Sequence, residues 1–247
     1  MGRLANPFFA CALAFFCLSC TKETGAVEKD QDTATDAVVF TATLQQPTKA
    51  NLDNYKVIWN EGDRISVHDG NSWKVSDPLL LADISGVGTK ASFRFTKDTP
   101  AIGSTYYAVY PASAAPVTAP SEDMISVILP EVQNITSGTI AKDALVQVCK
   151  GDDSNNLNFR NVTSLIEFKI PADGVSSVCF EAVEGDSFSL ERRLPIAGGA
   201  SVNVAAPATD IVGTGTRVVV NGDFIKDKNY FAVVYPAASV GKYRFTF

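Results

Sequence analysis

Histidine is all but missing: His68 is the only one in 247 residues. Ser-His-Asp chemistry would have to run through it, and no Gly-x-Ser-x-Gly elbow supplies a nucleophile. One histidine and two distant body cysteines, Cys149 and Cys179, cannot form a zinc cluster. Positive charge is short as well: 21 Lys and Arg face 27 Asp and Glu, for a net charge of −6. With no basic cluster to offset it, an acidic surface repels phosphates, so nucleic acid is excluded as a partner. The main apolar run, Phe8 to Leu18, is well below the roughly 20 residues that cross a bilayer. No window of a dozen residues carries the i, i+3, i+4, i+7 pattern of a core-facing helix.

At the start of the chain, Arg3 precedes that apolar run, and Ser19-Cys20 closes it ahead of polar Thr21-Lys22-Glu23. A basic start, a short apolar centre and a small residue at the cut describe a secretion signal. A cysteine at the cut resembles a lipoprotein lipobox, with Cys17 where an aliphatic residue usually stands. That resemblance implies acylation of Cys20 and attachment to a membrane by lipid. An ordinary cleaved signal with incidental cysteines is the other reading; either way the chain is exported. Residues 1–19 are thus the signal peptide and 20–37 a polar, small-residue tether. Within the tether, Asp32-Thr33-Ala34 resembles a short O-glycosylation sequon.

From Val38 onward the apolar clusters are short, β-branched or aromatic, and alternate with polar residues. Val39-Phe40-Thr41-Ala42-Thr43-Leu44, Ala91-Ser92-Phe93-Arg94-Phe95 and Leu165-Ile166-Glu167-Phe168-Lys169-Ile170 are examples. A period of two in such pieces, bounded by Asp69-Gly70-Asn71, Gly86-Val87-Gly88 or Asn221-Gly222, predicts half-buried strands. The expected class is all-β, built of sandwiches. One internal repeat bears on organisation: Tyr106-Tyr107-Ala108-Val109-Tyr110-Pro111 returns as Tyr230-Phe231-Ala232-Val233-Val234-Tyr235-Pro236, a domain length later. It predicts two related β-sandwich domains, residues 38–137 and 138–247. The last stretch, Tyr243 to Phe247, stops in mid-pattern, which suits either a truncated chain or a strand closing the second domain at its edge.

Candidate chemistry is sparse. Cys149 and Cys179 each sit in an apolar strand-like run, and in an exported protein they either pair in one disulfide or stay buried thiols. Carboxylates cluster at Glu61/Asp63, Glu122/Asp123 and Asp152/Asp153, the pairing glycosidases use, but all lie in predicted loops. Asp152-Asp153-Ser154-Asn155-Asn156 lacks the glycine and terminal glutamate of a calcium loop. Gly213-Thr214-Gly215-Thr216 precedes a strand, not a phosphate-binding helix. The reading is of a non-enzyme with no metal site and no cofactor.

The order of landmarks carries a resemblance. Val39-Phe40-Thr41-Ala42-Thr43 is followed by Thr48-Lys49-Ala50 and by Trp59-Asn60-Glu61-Gly62-Asp63-Arg64-Ile65-Ser66-Val67. Then come Tyr106 to Pro111, Val127-Ile128-Leu129-Pro130-Glu131-Val132-Gln133, Phe159-Arg160-Asn161-Val162-Thr163-Ser164-Leu165, and the second aromatic strand. From Val38 to Phe247 the chain resembles the fimbrillin family, lipoprotein subunits of type V pili on Gram-negative anaerobes. The resemblance implies two tandem transthyretin-like sandwiches and no cofactor. It also implies a lipid-anchored place on the outer membrane and cell surface, or in the fimbrium. Partners would be other pilus subunits, as homo- or heteropolymers, with host or bacterial surface ligands for adhesion. In that family a trypsin-like protease cuts behind the first strand, which would fall between Lys49 and Ala50. A strand from the next subunit then fills the opened groove. The alternative is a surface lipoprotein that captures glycans, using an exposed aromatic such as Trp73 as a stacking platform; an exported hydrolase comes third.

Overall fold

Alternating burial along many of the strands sets the architecture. A computed structural model describes residues 37–45, 57–103, 105–184, 192–207, 211–236 and 242–247. Strand makes up 48% of the described residues, and no described helix reaches seven residues, so the class is all-β. Strand β5 (Lys90–Phe95) shows the rule at work: Ala91, Phe93 and Phe95 are buried, whereas Lys90 and Arg94 stay exposed.

The largest sheet has eight strands. Its order is β3 (Trp73–Val75), β2 (Ser66–His68), β6 (Tyr106–Tyr110), β9 (Gln147–Gly151), β10 (Leu157–Asn161), β1 (Val38–Leu44), β5 and β4 (Ile84–Ser85). A five-stranded group joins β13 (Arg192–Leu194), β12 (Ser177–Glu184), β15 (Arg217–Gly222) and β8 (Val132–Ile135), with β17 (Lys242–Thr246) also on β12. Two pairs complete the body: β11 (Ser164–Lys169) with β16 (Asn229–Val234), and β7 (Met124–Leu129) with β14 (Gly198–Asn203).

Among the described residues there are two hydrophobic cores. The first gathers the rings of Phe40, Trp59, Phe93, Phe95, Tyr106, Tyr110 and Phe159. The second is aliphatic around Phe168, Phe180, Tyr230 and Tyr235. Strands β6 and β9 form a wall shared by both. Tyr106, Ala108, Tyr110 and Cys149 face the first core, and Val109 and Val148 on the opposite face belong to the second. Because both faces are covered, β6 reads as a continuous apolar run, Tyr-Tyr-Ala-Val-Tyr. The aromatic repeat falls on β6 and β16, each ended by a proline.

The sheets do not divide at the expected break of 137/138. Strands β9 and β10, which follow it, hydrogen-bond within the first sheet, while β7 and β8, which precede it, pair with β14 and β15. The physical reason is the shared wall: β9 is needed beside β6 to close the first core, so the chain crosses back before entering the second.

The groove around the first strand as candidate functional site

Strand β1 is a seven-residue segment, Val38 to Leu44, held on both sides. Against β5 it runs antiparallel, from Val38 opposite Phe95 to Thr43 opposite Lys90. Against β10 it runs parallel, with Ala42, Thr43 and Leu44 opposite Leu157, Asn158 and Phe159. Further backbone bonds extend the grip. The Thr41 N–H donates to the Ser154 carbonyl at 2.8 Å, the Leu44 N–H to Thr89 at 3.0 Å, and the Gln45 N–H to Phe159 at 3.1 Å. The Gln45 side-chain oxygen accepts the Asn161 N–H at 3.1 Å.

The inward face is Phe40, Ala42 and Leu44, all buried; Val39, Thr41 and Thr43 are half-exposed. Phe40 meets Phe95 and Tyr106 edge-on, with ring centroids 5.3 and 4.9 Å apart. Trp59 meets Phe93, Tyr110 and Phe159 at 4.9, 4.8 and 5.8 Å. Withdrawing β1 would therefore leave a slot between β5 and β10 with two unpaired backbone edges and a floor of aromatic rings.

The other candidate residues are dispersed. Lys49 and Ala50, the expected cleavage point, and Cys20, the expected lipid site, lie outside the described residues, as does Asp32-Thr33-Ala34. His68 is buried, and its Nδ1 accepts the Gly70 N–H at 3.2 Å, so that nitrogen carries no proton. Burial holds its pKa below the ordinary histidine value, against a smaller opposing pull from Asp69. It packs edge-on against Trp73, whose indole N–H donates to the Thr118 carbonyl at 2.9 Å. Trp73 is half-buried with its polar edge occupied.

The carboxylate pairs are turn and rim elements. Asp63 accepts the Asn60 N–H at 2.8 Å inside the Asn60–Asp63 turn, while Glu61 is exposed. Burial raises the Asp63 carboxyl, outweighing the Asn60 N–H, the Tyr110 hydroxyl and Lys142, which favour its charge. A cleft of about 340 Å³ lies beside it, lined by Arg64, Tyr110, Pro111, Lys142 and Asp143 among others. Asp123 pairs with Lys150 at 2.8 Å, the Glu122 carbonyl accepts from Tyr107, and Asp153 caps the Asn155 N–H. No three His, Cys, Asp or Glu side chains come together as a metal-binding group among the described residues.

Both body cysteines are free thiols. Cys149 faces the first core and burial pushes its thiol up to about 12, whereas Cys179 stands on β12 in the other sheet. Their separation into different sheets gives neither thiol a partner for a disulfide.

No family model, curated protein or solved structure matches the chain. No described helix is long and apolar enough to cross a membrane.

Two features of the groove had no signal in the sequence. One is the parallel pairing of β1 with β10, since nothing local ties residue 42 to residue 157. The other is the reach of Trp59 over both flanking strands. A tryptophan before a Gly-Asp turn reads only as a core anchor.

Proposed function

We propose that this chain is a fimbrial subunit of the type V pilus kind, or a related cell-surface lipoprotein, that assembles and adheres through donor-strand exchange. The observation that carries this reading is β1. It is the first described strand, and it lies inside a sheet with both edges paired. A cut after Lys49 would leave β1 attached by non-covalent contacts alone, free to be replaced by a strand from the next subunit. The finer fold proposed with it is a pair of transthyretin-like sandwiches joined at the β6–β9 wall. Cys20, acylated after removal of residues 1–19, would hold the subunit at the outer membrane before assembly. The proposed partners are other pilus subunits, with surface ligands for adhesion.

N-terminal sequencing of assembled material tests the reading directly. A start at Ala50 supports it, and polymers that still carry residues 21–49 refute it. For the anchor, Cys20→Ala should abolish palmitate labelling and release the protein from the membrane fraction; unchanged labelling excludes Cys20.

A further inference from the structure

Three stretches far apart in sequence meet where β6 ends and enclose the cleft of about 340 Å³. The first is the Asn60–Asp63 turn, where Gly62 takes φ +87°, a backbone that glycine adopts without strain, and the chain arrives at Asp63 and Arg64. The second is the end of β6, where Pro111 stops the strand and the Ala112 N–H donates to the Arg64 carbonyl at 3.0 Å. The third is the short 3-10 turn Lys142–Ala144, held by buried Ala144 and by the Lys142 ammonium, which donates to the Asn60 side-chain oxygen at 3.2 Å. The cleft thus collects two carboxylates, Asp63 and Asp143, and two cations, Arg64 and Lys142. None of the salt bridges among the described residues uses any of the four. Their bonds go to uncharged groups instead. Arg64 donates to the Ser76 carbonyl at 3.4 Å, Lys142 to Asn60, and Asp63 accepts the Asn60 N–H and the Tyr110 hydroxyl. Asp143 and Ser113 are exposed at the same cleft.

Formal charges that sum to zero give the cleft no net field to draw in an ion of either sign. What it offers is a set of spaced single donors and acceptors beside the half-buried apolar surface of Pro111 and Ala112. A sugar matches both parts: each ring hydroxyl donates one hydrogen bond and accepts others, and the C–H face of the ring is apolar. The volume lies at the small end of ligand pockets and suits one hexose-sized unit. We infer that this cleft is a binding site for an uncharged monosaccharide unit of a glycan, with Asp63 and Asp143 accepting from its hydroxyls and Arg64 and Lys142 donating to them. Strand exchange is not needed for it. No lining residue belongs to β1, so an uncut subunit presents the same cleft, and Trp73 takes no part in it.

Saturation-transfer NMR on the full chain tests it, with the methyl glycosides of glucose, galactose, mannose and N-acetylglucosamine as probes and glycine and acetate as charged comparators. At least one glycoside should bind, with roughly millimolar affinity for a ligand of that size. Asp143→Ala and Lys142→Ala should each weaken it at least about tenfold, the scale of losing one hydrogen bond to a charged group. Both residues are exposed, so the unfolding midpoints should stay at the wild-type value. Asp152→Ala, in the loop at the other end of β9, should bind as the wild type does. Amide shifts at Gly62, Arg64 and Ser113 should move on titration with the binding glycoside. Absence of binding by every glycoside overturns the site. Binding that survives both cleft variants, or that leaves those amides unmoved, overturns its location. Glycine or acetate bound in place of the glycosides overturns the uncharged-sugar class. Each of these results leaves strand exchange standing, because the N-terminal sequence of assembled material decides that separately.

Discussion

Phe40→Ala is the sharpest single probe of how β1 is held. The ring is fully buried and makes two edge-on contacts, with Phe95 and Tyr106. Truncating such a phenylalanine costs about 3–5 kcal/mol, combining lost transfer energy with the cavity left behind. Each aromatic pair contributes about 0.5–1.5 kcal/mol to that loss. Against a total stability of about 5–15 kcal/mol this is a large share. Urea unfolding followed by tryptophan fluorescence reads it, because Trp59 sits among the rings of the same core. With a denaturant slope of about 3 kcal/mol/M, the midpoint should fall by roughly 1–1.7 M. Thr41→Ala is the control: its side chain points to the half-exposed face, and its N–H bond to Ser154 is backbone and survives. It should move the midpoint by no more than about 0.3 M, the scale of ordinary surface substitutions. Equal shifts for the two variants, or a Phe40→Ala shift as small as the control, would refute the claim that β1 is anchored by its inward face.

Three further outcomes are expected. His68 titrates near 6.5 when unfolded and lower when folded, so the unfolded chain takes up the proton first. Its contribution is then fully present above that pH and erodes as pH falls through it; His68→Gln should flatten the slope of stability between pH 7 and 5, and an unchanged slope rejects the assignment. Gln133→Leu should cost about 2–4 kcal/mol by thermal or urea unfolding, because the buried carboxamide donates to the Val233 carbonyl and accepts its N–H, at 2.6 and 3.0 Å. Finally, alkylation of the native protein followed by peptide mass spectrometry should label Cys179 well before Cys149, and a peptide linking the two would contradict the free-thiol geometry.

The strands were legible wherever one face is buried and the other wet. Lys90-Ala91-Ser92-Phe93-Arg94-Phe95 alternates in sequence and in burial alike. The turns were legible for the same local reason: Asp69-Gly70-Asn71 reads as a turn, and Asp69 does accept the Asn71 and Ser72 N–H groups at 3.0 Å. The partition between halves was not. The repeat located two equivalent strands, β6 and β16, but which strands join each sheet depends on pairings such as Gly222 with Ile135 and Leu44 with Phe159. Such contacts between remote residues leave no local mark. The candidate site follows the same divide. Phe40, Ala42 and Leu44 announce an amphipathic strand, whereas the role of Trp59 comes only from where residues 93 and 159 are brought together.

The strand pair β6–β9 has a mechanical consequence. Beads joined by a string can be opened one at a time, each yielding at its own force. Here Val109 and Val148 pack into one core while Tyr110 and Cys149 pack into the other, across the thickness of a single backbone layer. A pull that shears these two strands apart removes a wall from both interiors at once. Under tension the body should yield in one event, with a rupture force set by the β6–β9 hydrogen bonds from Tyr106–Gly151 to Tyr110–Gln147.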